Sequence, residues 1–102
     1  MGDTWHESEI EGYEDRLREL SCDIANLTYD QTRNLIYYLA RDLERQAKGD
    51  EERGRVRLAS KLQEVVRSLD GAYSRMDDAW KICEPFMDGY VEKKLDDVVD
   101  EK

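Results

Sequence analysis

Histidines, cysteines and close-set carboxylates are the usual carriers of chemistry, and this chain is poor in the first two. His6 is the single histidine. A Ser–His–Asp or Cys–His pair would need that imidazole held in one orientation, and nothing in the surrounding MGDTWHESE supplies a hold. Zinc would have to draw three or four ligands from His6, Cys22, Cys83 and carboxylates, at spacings that match no zinc pattern. A di-iron bundle needs Glu-x-x-His pairs on facing helices, and the sequence contains none. Asp77 and Asp78 are adjacent, so on a helix they diverge by about 100° and are poorly placed to share an ion or a proton. No glycine-rich phosphate loop is present. The expectation is a non-enzyme with no catalytic residue, no metal ligand and no cofactor.

Carboxylates are abundant, and their spacing carries a pattern. Asp3, Glu7, Glu11, Asp15, Glu19 and Asp23 recur at every fourth residue, as do Glu84, Asp88, Glu92, Asp96 and Asp100. Four residues on a helix is a rise of about 6 Å, which makes these side chains neighbours. Each like-charged pair opposes the helix by roughly 0.2–0.5 kcal/mol. One reading is that Glu7 to Asp23 and Glu84 to Asp100 imitate a phosphate backbone and bind a basic protein groove. Phosphates repeat every ~3.4 Å per strand, so two rows are needed to approach that density. The plainer reading is a solvated acidic face that maintains solubility.

The charge is also segregated. Residues 1–32 carry nine acids and two bases, residues 33–75 seven acids and ten bases, and residues 76–102 nine acids and four bases, which sums to the net −9. Direct nucleic-acid binding through the bulk field is disfavoured. The basic cluster RGRVR at 53–57 reads as a helix start countered by Asp50, Glu51 and Glu52.

The elements that must position these residues are helices. One proline in 102 residues, 40% charged residues and a mean hydropathy of −0.89 suit one helical domain of residues 1–102 with a thin apolar stripe. No run approaches the roughly 18 apolar residues of a membrane span, and no apolar leader opens the chain. Two cysteines without CxxC spacing read as reduced thiols of a cytoplasmic protein.

Ile10, Tyr13, Leu17, Leu20, Ile24 and Leu27 step by 3 and 4, predicting a first helix over 4–28. Thr28 with Gln31 forms a capping box for a second over 29–48, through Leu35, Ile36, Leu39, Leu43 and Ala47, closed by Lys48 and Gly49. Asp50 reads as the N-cap of a third over 50–84. The seam that starts there is Leu58, Leu62, Val65, Leu69, Ala72, Met76, Ala79, Cys83, Phe86 and Tyr90, with Ala59, Val66, Tyr73, Trp80 and Met87 as a flanking row. The register crosses Gly71 unbroken. Pro85 predicts a kink, followed by a short fourth helix over 86–99.

The fold expected is thus all-α: an antiparallel three-helix bundle whose long third helix kinks near Pro85, with a short C-terminal fourth helix. The first two helices are too short to cover the whole seam. Met76, Trp80, Cys83, Phe86, Met87 and Tyr90 are therefore expected at an apolar interface, with a homodimer through the last helices.

In size, acidity and helicity the chain resembles phage-encoded counter-defence proteins, anti-CRISPRs among them. That likeness implies a small acidic inhibitor covering a basic nucleic-acid-binding surface of a partner protein, and it carries no residue correspondence. The alternative is a helical adaptor or assembly subunit that works through its apolar seam.

Overall fold

The computed structural model describes residues 13–95. Its helices are α1, Tyr13–Ala25, α2, Tyr29–Glu52, and α3, Val56–Cys83. A 3-10 turn, Glu84–Phe86, ends α3, and residues 87–95 follow without helix or strand.

The central unit is an antiparallel hairpin of α2 and α3, the only helices among the described residues that pack along one another. Ala40 and Ala47 of α2 and Ala59 and Val66 of α3 are buried along the helix pair, and small residues at such positions let helix axes approach closely. Tyr37 packs on Tyr73 with ring centroids 5.8 Å apart. At the open end, Trp80 is only 1% exposed.

Local chemistry explains where α2 stops. Gly49 lies inside the helix, and the terminating glycine is Gly54, at φ +84°. Only glycine enters that left-handed region without steric cost. The Arg55 amide donates to the Asp50 carbonyl at 2.8 Å and the Gly54 amide to Glu51 at 3.0 Å. Asp50, expected to cap the following helix, instead sits in the last turn of α2. Its carboxylate accepts from Arg55 Nη1 at 3.1 Å.

α3 runs through Gly71 without a break, as its register requires. Pro85 ends the helix rather than kinking it. Proline lacks an amide donor and crowds the carbonyl one turn back, so the chain tightens to a 3-10 turn and swings away at Gly89, φ +76°.

The expected fourth helix over 86–99 is corrected for its described part. Residues 87–95 form a non-helical strap that returns to the start of α2, and residues 96–99 lie outside the described residues. The strap's backbone groups at Lys93 bond to α2 side chains instead of to a helical neighbour. Those tertiary bonds, with the packing of Tyr90 on Trp80, prevail over a weak local helix preference.

α1 does not close a third side along the hairpin. The Thr32 hydroxyl donates to the Ile24 carbonyl at 2.8 Å, tying the end of α1 to α2, while Leu17 and Leu20 remain 49% and 54% exposed. The Cα radius of gyration is 16.6 Å, against about 13 Å for a compact chain of this size. The molecule is correspondingly elongated.

Candidate functional site

The two flanks of the hairpin differ in chemistry. On one, the helices are joined by charge. Arg41 Nη2 donates to Asp70 at 2.8 Å and its guanidinium lies 4.9 Å from the centre of the Tyr37 ring. Arg33 Nη1 donates to Asp77 at 2.8 Å and to Glu92 at 2.9 Å.

The strap is gripped on this flank through its backbone. The Lys93 amide donates to the Asp30 carboxylate. The Lys93 carbonyl accepts from Asn34 Nδ2 at 2.8 Å and from Arg33 Nη2 at 2.9 Å. The Tyr90 hydroxyl donates to Asp30 at 3.0 Å and accepts from Gln31 Nε2 at 3.1 Å, and its ring meets Trp80 edge-on at 5.7 Å.

Burial alone would raise the Asp30 carboxyl. Donors from the Lys93 amide, Thr28, Tyr90 and the Gln31 amide outweigh that and hold it below the ordinary aspartate range. Asp77 is also lowered, first by Lys81 and, against its partial burial, by Arg33.

The other flank is open and apolar. Two residues on a helix amount to about 200° of rotation, so Leu39 stands away from Arg41. Val65, five residues before Asp70, stands about 140° from it. Both therefore lie on the flank opposite the ion pairs, and both remain exposed, Leu39 at 44% and Val65 at 42%. Leu35 is exposed beside them, while Ile36 and Leu43 on α2 are half-buried. On α3, Leu58, Leu62, Leu69, Ala72 and Met76 are half-buried in the same row. This row is the seam read from the sequence. The row that faces α2 is the flanking one, Ala59, Val66, Tyr73 and Trp80.

The apolar interface residues fall in different places. Met76 lies on the open face, half-buried. Trp80 and Tyr90 pack on each other inside the chain. Cys83 and Met87 are half-buried, and Phe86 is 82% exposed on the 3-10 turn.

Among the acidic rows, Asp15, Glu19 and Asp23 are exposed on α1. Glu84 and Asp88 are exposed, but Glu92 turns inward to Arg33, so 84–92 do not form a helical ridge. Glu7, Glu11, Asp96 and Asp100 lie outside the described residues, as do Trp5 and His6. Cys22 is an exposed free thiol and Cys83 a half-buried one. Among the described residues, no group of three or more His, Cys, Asp or Glu is placed to hold a metal ion, and no helix is long and apolar enough to cross a membrane.

Sequence reasoning missed the cluster of Asp30, Arg33 and Asn34. Its one available signal was the polar run YDQTRN at the start of an otherwise apolar-periodic helix. No protein-family model matches the chain, and no curated protein or solved structure matches it.

Proposed function

We propose that this chain is a non-catalytic, cytoplasmic protein-binding module that works by burying the open flank of its α2–α3 hairpin against protein. One observation carries the reading: Leu35, Leu39 and Val65 stand exposed on this flank, with the ion-paired Lys61 and Glu64 only at its edge beside Val65. An apolar centre with a polar rim is what protein interfaces select. The role is that of a helical adaptor or assembly subunit, with the acids of the termini keeping it soluble.

A second reading has its own support. Asp15, Glu19 and Asp23 line α1, exposed to solvent, and such a row suits a basic groove on a partner, as in an inhibitor that covers a nucleic-acid-binding surface. Glu92 is engaged by Arg33, so this reading now rests on α1.

Affinity capture from the source cell separates the two. Under the apolar reading, Leu39→Glu removes the captured protein and added salt matters little. Under the acidic reading, Asp15→Lys with Glu19→Lys removes it, binding falls steeply with salt, and Leu39→Glu is harmless. Capture unchanged by either variant would sink both.

A further inference from the structure

We infer that the cover for the open flank is a second copy of this chain, two hairpins closing face to face into a four-helix bundle. This rests on the reading that the flank buries itself against protein, and it names that protein.

The dimensions favour a matching hairpin. The 24 residues of α2 extend about 36 Å, and two helices about 10 Å apart present a face about 20 Å wide. The resulting area, roughly 700 Å², is close to the ~800 Å² per partner of a standard specific interface. Among the described residues, α1, Tyr13–Ala25, does not pack along that face. α1 is moreover held at its end by Thr32, with Leu17 and Leu20 turned to solvent.

Shape favours self-association. Two antiparallel helices of similar length, 24 and 28 residues, can pair with their own copy about a two-fold axis lying in the plane between the two faces. Leucines at four-residue spacing on α2 can then interdigitate with the row of α3 in the partner.

Charge excludes the other large surfaces. A net charge of −9 repels acidic lipid and phosphate alike. The hairpin itself, residues 29–83, is nearly balanced, eleven bases against ten acids, so two copies meet there without the repulsion of their acidic ends.

The protein's own stability supplies the last reason. Among the described residues the buried apolar ones are Ala40, Ala47, Ala59, Val66 and Trp80, a small interior. A cover needed for folding must be present wherever the chain is made, and a second copy always is.

The test is the mass of the full chain by gel filtration with light scattering at micromolar concentration, together with co-purification of an untagged copy by a co-expressed tagged one. The inference expects about 24 kDa, twice the 12.0 kDa of the chain, and recovery of the untagged copy. Leu39→Glu and Val65→Glu should lose both. Ile82→Glu, exposed but off the face, should keep both. The tagged–untagged pairing is read on the unsubstituted chain, so a variant that fails to fold does not blunt the test.

A concentration-independent 12.0 kDa species overturns the inference, as does a dimer that survives both face substitutions. The broader reading fails separately. It falls if the wild type is monomeric and Leu39→Glu also leaves every captured protein in place.

Discussion

At the scale of single residues, the backbone dictates the clearest outcomes. Gly71 lies mid-helix, and a Cβ added there would meet nothing within 4 Å, so Gly71→Ala gains helix propensity without a clash. It should stabilise by about 1 kcal/mol and raise the thermal midpoint by roughly 4–8 °C, read by circular dichroism. Gly54 also has open space around it, yet its φ of +84° makes Gly54→Ala destabilising by about 1–2 kcal/mol. Matching gains at both sites would contradict this account of the turn. Trp80 poses a different question. It is almost wholly buried, and its indole Nε1 finds no acceptor among the described residues. Trp80→Ala should cost about 3–5 kcal/mol. Trp80→Phe should cost clearly less, because it deletes an unsatisfied donor along with part of the ring. The sequence showed that Gly71 interrupts nothing, since register is a local property. It could not show that Gly54 rather than Gly49 ends α2, because both follow a basic residue and only φ distinguishes them.

At the scale of elements, the seam was legible and its assignment was not. Periodicity locates two neighbouring apolar rows on α3 but cannot say which one meets α2. The row of Ala59, Val66, Tyr73 and Trp80 meets α2, where the buried Ala40, Ala47 and Ala59 permit close approach, leaving the leucines to the other flank. The strap was illegible for a related reason: Asp30, Arg33 and Asn34 meet Glu92 and Lys93 across about sixty residues, and no window along the chain contains both ends. Its pH dependence follows from the lowered carboxyls. A carboxyl depressed on folding stabilises above its unfolded value, near pH 4, and that contribution is lost as pH falls through the lower folded value. Asp30 and Asp77 are both depressed, so stability should be flat at neutral pH and drop below about pH 4. Asp30→Asn should reduce stability at pH 7 and flatten the acid limb, as measured by urea unfolding at several pH values. An acid limb identical to wild type would mean that the Asp30 clasp is not what holds the strap.

At the scale of the whole molecule, the hairpin and its strap pack one flank and leave Leu35, Leu39 and Val65 exposed on the other. The proposed dimer would account for the small interior among the described residues and for the 16.6 Å radius of gyration. Under that proposal folding is coupled to association, and the thermal midpoint should depend on concentration, because mass action favours the associated state. A 100-fold rise in protein concentration contributes about 2.7 kcal/mol. Set against the unfolding entropy of two chains of this size, that should lift the midpoint by on the order of 5 °C. Leu39→Glu should abolish the dependence and lower the midpoint at every concentration. The polar flank provides the control, since Arg41 and Asp70 bridge helices within one chain. Arg41→Ala should therefore lower the midpoint without removing its slope against concentration. If the wild-type midpoint is high and invariant across that range, the open flank is tolerated by a stable monomer, and its occupant must be sought among other proteins.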